Sequence, residues 1–130
     1  MHIWTTLALA LLALAACRGD ETISARTGAE TVYALQSLDG APFPAPATIR
    51  FPEPGRVAGR GPCNSYGAAQ SVPYPWIEIG PIAATRTSCP RIAAESRYFA
   101  ALQEMEFAEV QGPVLLLSNG AGRQMTFRAR

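Results

Sequence analysis

Three cysteines, Cys17, Cys63 and Cys89, are the residues of this sequence whose side chains could carry thiol chemistry. Cys63 lies in the segment Gly-Arg-Gly-Pro-Cys-Asn-Ser-Tyr at 59–66, where turn-forming residues predict an irregular and accessible stretch. A thiol in such a place can be a nucleophile, a metal ligand or one half of a disulfide. Which of these it is depends on the partners that the rest of the chain offers.

The partners that most thiol chemistry needs are missing. The only histidine is His2, and all eleven basic residues are arginine. A cysteine hydrolase needs a histidine base, a dithiol oxidoreductase carries two cysteines two residues apart, and structural zinc takes four ligands. Without lysine, Schiff-base chemistry is excluded as well. We therefore expect no catalytic residue, no metal and no cofactor.

A disulfide between Cys63 and Cys89 is the interpretation that these exclusions favour. In an exported protein two such cysteines are more often bonded than free. The loop that they close counts 27 residues with both ends, and chain entropy gives it a stabilisation of about 3.5 kcal/mol. The alternative is a reactive Cys89 thiolate, stabilised by a helix N-terminus and by the neighbouring Arg86 and Arg91.

The N-terminus has the pattern of an export signal. Ten uncharged, apolar residues run from Leu7 to Ala16 and are followed by Cys17. The run is too short for a spanning helix, which needs roughly 20 apolar residues, and it matches the core of a secretory signal. Leu-Ala-Ala-Cys at 14–17 resembles a bacterial lipobox, in which the cysteine is lipidated before cleavage. Simple signal cleavage near the same alanines is the alternative.

Lipidation of Cys17 would make the membrane the first partner of this protein. Two or more acyl chains hold a protein stably on a bilayer. By resemblance to lipoproteins of Gram-negative bacteria, Arg18 is not the aspartate that retains a protein in the inner membrane. The expected location is therefore the periplasmic face of the outer membrane. Polar residues 18–30 are predicted to be a flexible tether.

The remainder, residues 31–130, has the size of a single domain. A hydrophobic fraction of 48% argues for a globular fold. Eleven basic residues against ten acidic ones leave a net charge of +1, so no summed positive field attracts nucleic acid.

Short alternating segments separated by proline and glycine predict about seven strands, mostly antiparallel. The predicted strands are centred on residues 31–35, 49–51, 56–59, 76–79, 107–110, 114–117 and 124–127. Only one stretch, Pro90 to about Met105, has a convincing helical period, with Ile92, Phe99 and Leu102 on one face and Glu95 elsewhere. The fold class is therefore α+β, a small antiparallel sheet with one amphipathic helix packed on it.

At this point the residues resemble the META domains, the HslJ-like family. The resemblance covers about residues 31–128. The segments that carry it are Cys-Asn-Ser-Tyr at 63–66 and Ala-Thr-Arg-Thr-Ser-Cys at 84–89, with weaker strand patterns on either side. It implies a bacterial envelope domain, often lipid-anchored, that is linked to heat shock and novobiocin tolerance and has no established catalytic activity. Tyr33, in place of the usual tryptophan, and Pro62, in place of a common glycine, depart from the pattern.

The motif residues Asn64, Ser65, Tyr66, Thr85 and Arg86 have both structural and ligand-binding interpretations. We expect the first two to bond local backbone groups and the tyrosine ring to pack beside the disulfide. Thr85 and Arg86 could bind an anion at the helix start, or the arginine could pair with a carboxylate such as that of Glu95.

Three functions follow as hypotheses. The first is a non-enzymatic, outer-membrane-anchored domain that serves envelope integrity and stress tolerance through an unknown envelope protein or small molecule. The second is a thiol redox or chaperone-like factor that uses Cys89. The third is an inhibitor or binding module that displays the proline-rich segments 40–46 or 67–75.

Overall fold

The computed structural model describes residues 19–130. The predicted signal peptide, the lipidation of Cys17 and the sorting position Arg18 lie outside these residues. Among the elements of residues 19–130, no helix has both the length and the apolar character that a membrane crossing requires.

Nine strands and two helices make up the described part of the chain. Helix α1 is Ser24–Thr27 and helix α2 is Ile92–Glu104. The strands are β1 Tyr33–Leu38, β2 Ala41–Pro42, β3 Thr48–Arg50, β4 Gly55–Arg60, β5 Ser65–Gln70, β6 Ala83–Ala84, β7 Phe107–Gln111, β8 Val114–Ser118 and β9 Gln124–Ala129.

All nine strands belong to one sheet, in which neighbouring strands run antiparallel. The order across the sheet is β6-β5-β4-β3-β1-β9-β8-β7, with β2 beside β1. The α+β class and the single main helix are confirmed, while the strand count is nine rather than about seven.

The sequence pattern missed β2, β5 and β6 and placed a strand at 76–79 that the sheet lacks. Strand β5 reads Ser-Tyr-Gly-Ala-Ala-Gln and has no β-branched residue, so its propensity is weak. It is extended because it pairs with β4 along six residues and with β6 on its other side. Residues 76–79 make only one bridge, between Trp76 and Phe107.

The core lies between one face of the sheet and helix α2. Alternate residues of the last two strands, Leu115 and Leu117 in β8 and Met125 and Phe127 in β9, are fully buried. Tyr98 of α2 is buried against Phe127, with ring centroids 6.5 Å apart. Burial of apolar area at about 25 cal/mol per Å² is the main term that favours this arrangement.

The buried face of α2 differs from the predicted one. Glu95, Tyr98 and Leu102 are buried, whereas Ile92 is 43% exposed and Phe99 is half-buried. Positions 95, 98 and 102 follow the spacing i, i+3, i+7 of a single helix face. A helix is therefore present where the pattern predicted it, but it is rotated so that a glutamate rather than an isoleucine points inward.

The predicted tether at 18–30 is wrong for most of its length. Ile23 is only 1% exposed and belongs to the core cluster. The carboxylate of Asp20 accepts hydrogen bonds from Thr22 and Ser24, which order the turn that leads into α1. The polar composition of the segment did not predict this packing, because a single apolar side chain, Ile23, is enough to anchor it to the core.

The proposed display loop at 67–75 is also wrong in its first half. Residues up to Gln70 belong to β5, and the Gln70 side chain is buried. Its amide donates to Val72 O at 3.0 Å, and its oxygen accepts from the Glu78 N–H at 2.8 Å. One buried side chain thus holds the connection that follows β5 against the sheet.

An ion-pair cluster joins the β1–β2 turn to the end of α2. The turn places Asp39 and Gly40 at positive φ, 52° and 81°. Arg123 contacts Asp39 Oδ2 at 3.0 Å and Glu104 Oε2 at 2.7 Å. These side chains are a third to a half exposed, so the cluster contributes modestly to stability.

Asp39 is expected to make stability sensitive to acid. The Gln124 N–H and the Arg123 guanidinium hydrogen-bond its carboxylate and hold its pKa below the ordinary value. A depressed folded-state pKa stabilises the protein above the unfolded value of about 3.9, and that stabilisation is lost as pH falls through the folded pKa. Urea unfolding at decreasing pH should show a steeper loss for the wild type than for Asp39→Asn. Equal pH profiles would contradict the assignment.

Candidate binding site

A groove of about 520 Å³ lies between the extended segment 82–88 and the beginning of helix α2. Polar and apolar residues line it in a mixed pattern. They are Asn64, Ile82, Ala83, Ala84, Thr85, Arg86, Thr87, Ser88, Ile92, Glu95 and Phe99. Three of the residues singled out from the sequence, Asn64, Thr85 and Arg86, are therefore brought to one place.

Glu95 forms the floor of the groove and is only 3% exposed. Its Oε1 accepts the backbone N–H groups of Cys63 at 3.0 Å and Asn64 at 2.7 Å, and its Oε2 accepts Nδ2 of Asn64 at 2.7 Å. A Cβ at Gly61 would lie 2.5 Å from Oε1, so glycine lets the loop approach. The carboxylate holds the loop before β5 against the helix by hydrogen bonds to N–H groups.

The side-chain amide of Asn64 makes the hydrogen bonds that the backbone of a neighbouring strand would otherwise make. Oδ1 accepts the Thr87 N–H at 2.6 Å and the Thr85 hydroxyl at 2.9 Å, and Nδ2 donates to Thr87 O at 3.0 Å. These bonds continue the pairing of the segment 82–88 beyond the end of β6. Asn64 was expected to bond nearby backbone, and its side chain instead joins parts of the chain more than twenty residues away.

The side chain of Tyr66, in strand β5, belongs to the buried core and does not line the groove. Its hydroxyl oxygen is 2.7 Å from that of Tyr98, and the two oxygens lie 2.8 Å and 3.1 Å from Thr48 O, so two protons are shared among three short contacts. Burial raises the pKa of both phenols, although the hydrogen bond with Tyr98 partly opposes the shift for Tyr66. A Cβ at Gly59 would overlap with Thr48 O, so glycine is required beside this pair. The Tyr66 ring contacts those of Tyr98 and Phe99, with centroids 5.8 Å and 5.1 Å away.

Ser65 and Arg86 are exposed. The Ser65 hydroxyl accepts from Arg60 at 3.0 Å. Within residues 19–130, Arg86 takes part in no ion pair, and the carboxylate of Glu95 is engaged by N–H groups instead. The positive charge of Arg86 therefore faces the groove and the solvent.

The predicted disulfide between Cys63 and Cys89 is confirmed. Their Cα atoms are 5.8 Å apart, within the range that disulfides require. Both residues are half-buried, and the Cys89 sulphur accepts the Arg91 N–H at 3.4 Å. The bond fixes the end of the segment 82–88 to the loop before β5, and so supports the groove at one end.

Sequence reasoning missed the buried role of Glu95 and the participation of Thr87. A signal for the first was present, because Glu95 has the same helical spacing as Tyr98 and Leu102. No local signal points to Thr87, whose backbone is bonded by the side chain of Asn64, the residue just before β5.

Within residues 19–130, no group of three or more histidine, cysteine, aspartate or glutamate side chains is placed to hold a metal ion. In the groove of the described chain, the ionisable side chains are Arg86 and Glu95. Both oxygens of the Glu95 carboxylate accept hydrogen bonds from N–H groups of the protein.

Fold and site together define a disulfide-linked α+β domain, built on one antiparallel sheet, with a groove beside strand β6. A model of the META domain family matches residues 26–130. The chain belongs to the META domain family, as the resemblance in its cysteine segments predicted.

Solved structures share this fold. A protein from Burkholderia xenovorans, solved by NMR, is 20% identical, with a TM-score of 0.63 over 82% of this chain and 86% of that one. A DUF4847 family protein from Bacteroides vulgatus, solved by crystallography, is 13% identical, with a TM-score of 0.63 over 82% of this chain and 96% of that one. At these identities the likeness is one of fold. No curated protein matches the chain.

Proposed function

We propose that this protein is a non-enzymatic lipoprotein, held on the periplasmic face of the outer membrane through Cys17, that supports envelope integrity under stress. Heat and novobiocin are the stresses that the family resemblance names. It acts by binding a protein or small molecule in the groove beside β6. The observation that carries the proposal is the disulfide between Cys63 and Cys89 at the end of that groove.

The disulfide supports an extracytoplasmic location. Structural disulfides persist in oxidising compartments and are rare in the cytosol. The apolar run before Cys17 supplies the export signal, and the lipid on that cysteine would supply the anchor.

The way in which the groove's polar groups are engaged supports binding rather than catalysis. Asn64 and Glu95 are buried and satisfied by partners within the protein. What remains accessible is backbone, the hydroxyl of Ser88, the guanidinium of Arg86 and the apolar side chain of Ile92.

The anchoring half of the proposal is tested with Cys17→Ala. In a bacterial strain that lacks the gene, wild-type protein should incorporate labelled palmitate, sediment with the outer membrane and restore survival in heat and novobiocin. The variant should lose the label and the membrane fraction. Labelled palmitate in the variant, or full stress survival of the deletion strain, would contradict the proposal.

The binding half is tested in the same strain with Arg86→Glu, which changes the groove without touching the anchor. Survival should fall, whereas Arg128→Glu, the same charge change at an exposed position of β9, should preserve it. Equal survival with both variants would argue against a role for the groove.

A thiol redox function is the second candidate, favoured by one observation. Cys89 lies just before α2, and its sulphur accepts the Arg91 N–H at 3.4 Å, a contact that would also stabilise a thiolate. The separate replacement of the two cysteines, described in the Discussion, distinguishes this candidate from a structural disulfide.

A further inference from the structure

The two edges of the sheet have different surroundings. Residues 74–77 cover the outer edge of β7. There Pro75 O accepts the Ala108 N–H at 2.8 Å, and the Ile77 N–H donates to Glu106 O at 2.9 Å. Such cover removes a row of free backbone groups that would otherwise pair with another chain. The opposite edge, at β6, has no equivalent among the described residues.

The inner side of the segment 82–88 is fully paired. The Thr85 N–H donates to Ser65 O at 3.0 Å, and both backbone groups of Thr87 bond the side chain of Asn64. The segment is thereby held extended beyond the two residues of β6. Because these bonds already hold the segment extended, less ordering entropy is lost when a partner binds.

On the outer side of the segment 82–88 lie the backbone groups of the residues between those that bond inward. In an antiparallel ladder, successive residues direct their N–H and C=O groups to opposite edges. Ala84 opposes Tyr66 at a position where the flanking residues make the inward bonds, so its own groups point away from β5. Within residues 19–130, the backbone groups of Ile82 and Arg86 also have no hydrogen-bond partner.

Apolar side chains flank this edge on the helix side. Ile92, which is 43% exposed, and the half-buried Phe99 line the groove together with Ile82. A strand laid along the edge would direct alternate side chains towards them, because successive side chains point to opposite faces. The edge offers main-chain pairing and the flank offers apolar contacts, which are the two components of strand addition.

The positive charge at the groove favours an acidic binding partner over a second copy of this chain. Arg86 lines the groove and is exposed, and the ion pairs of the described chain involve Arg56 and Arg123 instead. The carboxylate of Glu95, the other ionisable group of the groove, is buried. A second copy would bring the same arginine without a compensating accessible carboxylate in the groove, whereas an acidic segment would complement it.

We propose that the free edge at residues 82–86 binds an extended, acidic segment of another protein as an added β-strand. This rests on the proposed function, and it specifies the partner's conformation and charge. Pro81 precedes the edge, and its five residues span roughly 16 Å at about 3.3 Å for each residue of strand.

A capped heptapeptide of alternating glutamate and valine is a direct probe. With the peptide in excess, NMR-detected hydrogen exchange at the amides of Ile82, Ala84 and Arg86 should slow at least tenfold, because these amides gain acceptors. The amides of Thr85 and Thr87 are already bonded and should change little.

Backbone methylation of the peptide isolates main-chain pairing from charge. Two versions carry N-methyl groups on alternate residues, one on each set. One version should bind at least tenfold more weakly and the other about as well as the parent, since only one set of amides faces the protein. Arg86→Glu should weaken the parent peptide at least tenfold, and the matched control Arg128→Glu should not.

Several outcomes would overturn the proposal. These are no binding at millimolar peptide, equal binding of both methylated versions, or protection confined to amides outside 82–86. Concentration-dependent dimerisation that Ala84→Pro abolishes would assign the edge to a second copy instead. The peptide assay uses purified protein and is independent of the survival and palmitate experiments. Its failure would therefore contradict strand addition without contradicting the proposed function.

Discussion

Replacement of Glu95 by alanine is expected to lower the free energy of unfolding by roughly 3–5 kcal/mol, because a buried acceptor shared by three N–H groups is lost. The backbone amides of Cys63 and Asn64 would lose the acceptor that they share, at about 1–3 kcal/mol for each unsatisfied buried donor. Urea unfolding followed by circular dichroism measures the change.

Two further variants test the reason for that loss. Glu95→Gln keeps one oxygen for the two backbone amides but directs its NH₂ group at the NH₂ group of Asn64, so an intermediate loss is expected. Glu78→Ala, which removes an exposed carboxylate, should change stability by less than about 0.5 kcal/mol. If Glu95→Ala were as stable as Glu78→Ala, the network beneath the groove would not be structural.

Loss of the disulfide has the second large expected effect. Its chain-entropy contribution, for a sequence separation of 26, is about 3.5 kcal/mol. Cys63→Ser and Cys89→Ser should each remove it and lower Tm by roughly 10–20 °C for a domain of this size. Thermal unfolding with and without reductant measures the change. The reduced wild type should have the same Tm as the two variants.

The comparison of the two serine variants decides between crosslink and catalysis. Equal destabilisation, with equal loss of stress survival, is the outcome for a structural bond. A redox role of Cys89 would instead leave Cys89→Ser folded and stable yet inactive. A reduced protein that melts at the temperature of the oxidised one would contradict the assigned stabilisation.

The position of α2 shows how far a local pattern reaches. Its extent was predictable within two residues, because apolar spacing and Pro90 are local features. Its rotation was not, because Ile92 is apolar and Glu95 charged, and burial scales place the isoleucine inside. The loop before β5 reverses that preference by presenting N–H groups that only an acceptor can satisfy.

The sequence by itself determined the class of the domain, its family and the pairing of its cysteines. These depend on composition, on motif order and on the elimination of other thiol partners. The tertiary structure decided which strands exist at the β6 edge, which face of α2 is buried and that Ile23 docks into the core. Those outcomes depend on hydrogen bonds and contacts between residues distant in the chain, such as Asn64 with Thr87, whose energy no local pattern encodes.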